Sequence, residues 1–321
     1  MRKVIVPKIG EPEVLEIVTA DSPKPKNTEV LVEVQAAGIN FIDVYQRQGH
    51  LQVPLPFTPG WEGIGIVREV GGGVTRVKVG TRVAWINNFG SYAEELILPE
   101  NQVIPIPDAF TTAEGMLFQA ITAQYLIREY REIKPGDVVL VQSAAGGVGQ
   151  VLTQWVKHLG ATVIGTASTE EKLKTVLSLG ADHAVNYSSG SFLHPVLELT
   201  NGRGVDLVFD AVGATTFDES VKVLAKRGMA ISYGRASGFA PDVEVLPLIL
   251  KGARVAGASI FTYIEDPKEM QARATEVIRG LQEAWFRAPA TTVYPLDEVV
   301  EAHHALEGRK SQGKLALVMK K

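Results

Sequence analysis

Residues 137–149 read Asp137-Val138-Val139-Leu140-Val141-Gln142-Ser143-Ala144-Ala145-Gly146-Gly147-Val148-Gly149. The run Asp137 to Gln142 has the length and apolar character of a strand buried on both faces, and the small residues after it open a helix over 147–159. Set on the template Gly-x-Gly-x-x-Gly, the turn places Ala144, Gly146 and Gly149 at the three glycine positions. Gly146 lets backbone approach a pyrophosphate, and Gly149 lets helix and strand pack closely. The helix N-terminus adds amides and a partial positive charge. Such turns also arise for packing alone; lodged between a buried strand and a helix, this one reads as a dinucleotide cradle.

Further along, the same alternation repeats: strand 161–166, helix 169–179, strand 183–186, helix 191–199, strand 205–210, helix 215–225, strand 229–233. Strand-helix units of this period predict a parallel sheet covered on both faces and wound with right-handed crossovers. The ligand crevice then lies at the carboxyl ends of the strands. In the other direction, residues 1–118 hold short alternating runs such as Val30-Leu31-Val32-Glu33-Val34, broken by turns such as Gly71-Gly72-Gly73. This texture predicts many short strands in a barrel-like sheet. The tail, 257–321, predicts helices over 267–283 and 296–306 and a strand over 314–319; it is too small for its own core and is expected to pack on the first domain. The fold class is therefore α/β: a doubly wound domain at 119–256 beside a mainly β domain.

A second-strand carboxylate would select the ribose of NAD. Here that strand ends in Thr166-Ala167-Ser168. Glu170 and Glu171 follow, and Ser168-x-x-Glu171 reads as a capping box, with both acids suiting a helix's first turn. Ser168 and Lys172 are then available to a 2'-phosphate, so NADPH is the expected cofactor.

Composition bounds the chemistry. The 321 residues carry 32 Lys and Arg against 36 Asp and Glu, a net charge of -4, so no global field draws the chain to nucleic acid or anionic membrane. The absence of cysteine excludes disulfides, thiolate nucleophiles and sulfur-ligated zinc. The six histidines show no metal-ligand spacing and read as surface or loop residues. Pro7 interrupts the apolar start and Pro247, Lys251, Gly252 and Arg254 interrupt the most apolar later stretch, so neither a signal peptide nor a membrane span is expected. Cytoplasm is the default compartment.

Several stretches together resemble the zinc-free quinone oxidoreductase branch of the medium-chain dehydrogenase/reductase superfamily, which includes zeta-crystallin. They are Ala37-Gly38-Ile39-Asn40-Phe41-Ile42-Asp43, Pro59-Gly60-Trp61-Glu62-Gly63, Phe118-Gln119-Ala120-Ile121-Thr122-Ala123, Val185-Asn186-Tyr187 and Ser232-Tyr233-Gly234. The resemblance implies a GroES-like catalytic domain made from both chain ends, 1–118 and 257–321, around a Rossmann domain at 119–256. It sets Asn40 and Trp61 where zinc-dependent members carry a catalytic Cys and His, so no metal is expected.

Hydride addition to a simple ketone builds a localised alkoxide that needs a Lewis acid or strong proton donor, whereas a quinone or enone spreads the charge by conjugation. The resemblance therefore implies an NADPH-dependent quinone reductase. Reduction of activated C=C bonds in alkenals, enones or enoyl thioesters is the alternative, and a non-catalytic NADPH-binding role, crystallin-like or RNA-binding, is a third. It further implies catalytic roles for Asn40 and Tyr45, with Asp43 as an orienting partner; Tyr45 either donates its phenol or walls the pocket. The implied cofactor contacts are Asn40, Thr122, Gly146, Gly147, Val148, Tyr187, Gly213, Tyr233, Gly234, Phe261 and Arg309, beside Ser168 and Lys172. Residues Arg254 to Phe261 resemble the edge strand that pairs in a homodimer.

Overall fold

The computed structural model describes residues 1–188, 190–308 and 311–319 and divides into two compact units. The first comprises Met1–Gln119, Tyr263–Arg279 and Ala290–Lys321; the second comprises Ala120–Thr262 and Gly280–Pro289.

In the first unit the chain opens with β1 (Arg2–Ile5) and β2 (Glu16–Thr19), an antiparallel pair. The long β3 (Glu29–Ile39) leads into α1 (Phe41–Arg47). Then come β4 (Glu62–Val70), β5 (Arg82–Ile86), β6 (Glu95–Pro99), β7 (Val103–Pro105) and the one-turn α2 (Thr112–Gly115). The alternation seen in the sequence sends Val30, Val32 and Val34 inward, where they join Val67, Val83, Trp85, Leu98, Leu315 and Leu317 in one core.

The second unit begins with most of α3 (Phe118–Glu129). Strand-helix alternation follows: β8 (Val138–Val141), α4 (Gly147–His158), β9 (Thr162–Ala167), α5 (Glu170–Ser178), β10 (His183–Asn186) and α6 (Leu193–Leu199). It continues with β11 (Val205–Asp210), α7 (Phe217–Lys222), β12 (Leu224–Ser232), α8 (Val245–Lys251), β13 (Arg254–Gly257) and α9 (Ile260–Ile264). All six strands are parallel, in the order β10-β9-β8-β11-β12-β13. The order reverses between β8 and β11, which places the ligand crevice of a doubly wound sheet at their carboxyl ends.

The chain then enters α10 (Pro267–Gln282), and the first unit is completed by β14 (Thr291–Pro295), α11 (Val299–Glu307) and β15 (Lys314–Val318). Its seven-stranded path runs β14-β15-β3-β4-β5-β7, with β6 also on β3. The carboxyl-terminal strand is thus interior to a sheet begun near residue 29.

Four sequence expectations are corrected. Residues 280–289, assigned with the tail, belong to the second unit: Phe286 stacks on Trp155 at 5.0 Å and Trp285 lies 5.7 Å from the same ring. The helix expected over 215–225 is only α7, because Leu224 already pairs with Val205 as β12 begins. The edge strand ends at Gly257, and Phe261 lies on α9. The cap of α5 is Thr169, whose side chain accepts from the Lys172 N–H at 3.3 Å, so Ser168 makes no capping box.

Candidate functional site

In the first unit, the site begins where β3 hands over to α1. Asn40 caps that helix, and its backbone N–H donates to Asp43 Oδ2 at 2.9 Å. The Asn40 side chain points its Nδ2 at Glu62 Oε1, 2.8 Å away. Glu62 is wholly buried; its Oε1 also takes Lys314 Nζ, and its Oε2 takes the Phe118 N–H at 3.3 Å. This ion pair reaches from β4 to β15 across the intervening β3, and it can do so only because residue 38 has no side chain. A Cβ on Gly38 would stand 2.3 Å from Glu62 Oε1 and 2.7 Å from Lys314 Nζ.

Asp43 is buried beneath this group. Its Oδ2 also accepts from the Tyr92 hydroxyl at 3.0 Å, and that hydroxyl lies 3.3 Å from His303 Nε2. Because Tyr92 donates to Asp43, His303 must offer Nε2–H, which leaves its Nδ1 as a bare acceptor; Asp43 Oδ1 likewise has no partner. Burial pushes the Asp43 carboxyl up to about 7, and burial followed by the nearby Arg47 charge pushes His303 down to about 3. The reading of every histidine as a surface or loop residue is therefore corrected: His303 is a core residue of α11.

Tyr45 is half-buried on α1, its ring 6.1 Å from Phe41. Trp61 donates Nε1–H to Gln46 Oε1 at 2.9 Å, and its indole lies 5.2 Å from Phe89, which in turn lies 5.5 Å from Phe57. The residues at the two zinc-ligand positions do not fit a zinc ion. Asn40 offers a neutral amide and Trp61 an indole N–H without a lone pair, in place of a thiolate and an imidazole. Among the described residues no group of three or more His, Cys, Asp or Glu side chains is arranged to hold a metal.

In the second unit, the glycine turn follows β8. Ser143 adopts a φ of 53°, Gly146 caps α4 with no side-chain hydrogen bond, and a Cβ on Gly149 would fall 2.4 Å from Ser143 O. The first-turn amides of Gly147 and Val148 have no side-chain cap, and the approach of helix to turn requires glycine. At the end of β9 stand Thr166, Ala167 and Ser168, with half-buried Lys172 in the first turn of α5; burial lowers its ammonium pKa, opposed by Glu171. Tyr187 follows β10, its N–H donating to Ala167 O at 3.2 Å.

Beyond β11, Gly213 has a φ of 88° and a Cβ there would meet Gly238 O at 2.4 Å. Tyr233 and Gly234 follow β12. The turn residues, Ser168, Lys172, Tyr187, Gly213, Tyr233 and Gly234 therefore gather at the carboxyl ends of five strands, whereas Thr122 and Phe261 lie on α3 and α9. Arg309 lies outside the described residues. With an uncapped helix N-terminus, no second-strand carboxylate and a cation at Lys172, these residues fit a dinucleotide bearing a 2'-phosphate.

Comparison with known proteins decides the family. The alcohol dehydrogenase GroES-like domain matches residues 26–108, and the zinc-binding dehydrogenase domain matches 147–277. A quinone oxidoreductase of Pseudomonas aeruginosa is 37% identical over 314 residues, 96% of this chain and 97% of that protein. The chain belongs to the quinone oxidoreductase branch of the medium-chain dehydrogenase/reductase superfamily.

Within the family, the Escherichia coli quinone oxidoreductase complexed with NADPH superposes with a TM-score of 0.93 at 33% identity, covering 99% of this chain and 100% of that one. A 2-haloacrylate reductase of Burkholderia is 35% identical over 328 residues, 98% of each chain. Sequence reasoning missed Glu62, Lys314, Tyr92 and His303. Glu62 and Lys314 each carried a visible signal, as a charge opening an otherwise apolar run.

Proposed function

We propose that the chain is an NADPH-dependent quinone oxidoreductase that works without a metal ion. The observation that carries this reading is the Asn40 amide, which stands where the family's zinc enzymes hold a thiolate and donates instead into the buried Glu62–Lys314 pair. A site built this way has no Lewis acid for a localised alkoxide, so it suits an acceptor that delocalises the incoming charge.

Bound NADPH supplies the hydride. Gly146, Gly147 and Val148 would hold its pyrophosphate, Ser168 and Lys172 the 2'-phosphate, and Tyr187 the adenosine side. Thr122, Gly213, Tyr233, Gly234 and Phe261 would contact the nicotinamide half. Asn40 orients cofactor and acceptor, Asp43 fixes the backbone of Asn40, and Tyr45 either donates its phenol or walls the pocket.

The test is NADPH oxidation with quinones, enones and an enoyl thioester, each with and without chelator. Turnover of quinones, indifferent to chelator, is expected. Oxidation by enones alone sinks the quinone assignment, chelator sensitivity sinks the metal-free one, and tight NADPH binding with no turnover points to a binding protein. Similarity to the 2-haloacrylate reductase favours reduction of activated C=C bonds as the second reading.

The protein acts as a homodimer in the cytoplasm. Among the described residues β13 pairs with β12 alone, and the adjoining α8 exposes Val245, Leu246, Ile249 and Leu250 by 63 to 76%. No described helix is long and apolar enough to cross a membrane, and nucleic acid is not a partner.

A further inference from the structure

A line of fully buried polar side chains crosses the floor of the second unit, beneath the carboxyl ends of β8, β9 and β11. Gln142, Thr166, Asp210 and Ser220 have no exposed surface. The Ser143 N–H donates to Thr166 Oγ1 at 3.3 Å, and the Thr166 hydroxyl donates to Gln142 Oε1 at 2.6 Å. Gln142 Nε2 donates to Ser220 Oγ at 3.1 Å, and the Ser220 hydroxyl donates to Asp210 Oδ2 at 2.8 Å. The other oxygen, Oδ1, accepts the N–H groups of Val212 and Gly213 at 2.8 and 3.0 Å, while Thr216 Oγ1 donates to the same carboxylate at 2.8 Å.

The polarity of this chain of bonds is forced. Asp210 takes two backbone N–H groups at Oδ1 and the Thr216 and Ser220 hydroxyls at Oδ2, so Ser220 spends its proton there and accepts from Gln142. Gln142 therefore turns Nε2 to Ser220 and Oε1 to Thr166, and Thr166 spends its proton on Gln142 while its oxygen takes the Ser143 amide. One end anchors the first residue of the glycine turn. The other fixes the turn at Gly213, where a Cβ would strike Gly238 O. Gln142, at the end of β8, joins the two halves at the point where strand order reverses.

An apolar residue at 142 would fill this interior with less desolvation cost, since every polar group placed here must be matched. The match instead ties two turns that have no direct hydrogen bond to each other among the described residues. We propose that Gln142 is a positioning residue: it couples the pyrophosphate turn at Ser143 to the Gly213 turn, so that the adenosine and nicotinamide halves of one dinucleotide meet a single preset cradle. This rests on the reading of NADPH as the cofactor.

The experiment is calorimetric titration of the full chain with NADPH and with adenosine 2',5'-bisphosphate, which occupies only the adenosine half. In Gln142→Met the Kd for NADPH is expected to rise about tenfold while that for the bisphosphate stays within about twofold. Gln142→His, which keeps one acceptor and one donor, is expected to restore NADPH binding to within about threefold of the parent. Ser220→Ala cuts the same link from α7 and is expected to repeat the pattern, which keeps the test open if Gln142→Met does not fold. Unchanged NADPH affinity in both cut variants overturns the coupling, as does equal weakening of both ligands, which marks damage confined to the adenosine half. If the parent protein binds no NADPH, the cofactor reading fails and takes the coupling with it; parent binding with unchanged variants removes the coupling alone.

Discussion

Asp43 and His303 flank Tyr92 and titrate in opposite senses. Asp43, pushed to about 7 from the usual 3.8, keeps a proton in the folded chain that the unfolded chain has released; its contribution is full below about pH 4 and is lost as pH rises to 7. His303, pushed to about 3 from the usual 6.5, refuses a proton that the unfolded chain accepts; its contribution is full above 6.5 and is lost as pH falls. Each slope approaches about 1.4 kcal/mol per pH unit, and the two cancel in the shared window.

Asp43→Asn leaves the histidine slope alone. Relative to the parent, its stability in urea unfolding should rise by on the order of 3 kcal/mol between about pH 4.5 and 6.5. His303→Gln should show the reverse sign, and parallel curves would refute the assignment. Lys172→Glu should shift preference from NADPH towards NADH by about tenfold or more, read as the ratio of the two Kd values; an unchanged ratio removes Lys172 from the phosphate site. Such single-residue environments were hidden in the sequence. Nothing in the run Val299 to Glu307 distinguishes buried His303 from His304, which meets Glu13 at the surface.

At the scale of the element, the three strands β15, β3 and β4 act as one device. Lys314→Met leaves Glu62 buried without its cation and should cost about 3 to 5 kcal/mol in chemical unfolding. The double variant Lys314→Met with Glu62→Gln should recover much of that loss, and failure to recover would show that packing rather than charge sets the cost. Gly38→Ala should be destabilising for the same reason, since its methyl would lie inside the pair.

Elements with strong local signals were legible. The apolar run before the glycine turn became β8, and the periods through residue 233 became a parallel sheet. Local competition hid the rest. Thr169 outbid Ser168 as a cap because either hydroxyl suits the position, and β12 began early because its first residue pairs with Val205, a contact no local pattern announces.

For the whole molecule, the proposed homodimer would use the edge of β13, which among the described residues pairs with β12 alone, and the apolar face of α8. Leu250→Asp places a charge on that face and should raise the dimer dissociation constant by about 100-fold or more, shifting sedimentation towards the monomer. A sedimentation profile identical to the parent's excludes this edge as the interface. The tail, 257–321, was too short for a core of its own and was expected to pack on the first domain, whereas the place of residues 280–289 in the second unit depends on Trp155, distant in sequence and invisible to any periodicity. β15 lies between β14 and β3. A ribosome therefore finishes all six strands of the second unit while the first still lacks one from its interior, and the carboxylate that orients Asn40 waits for Lys314, the last member of that cluster to be translated.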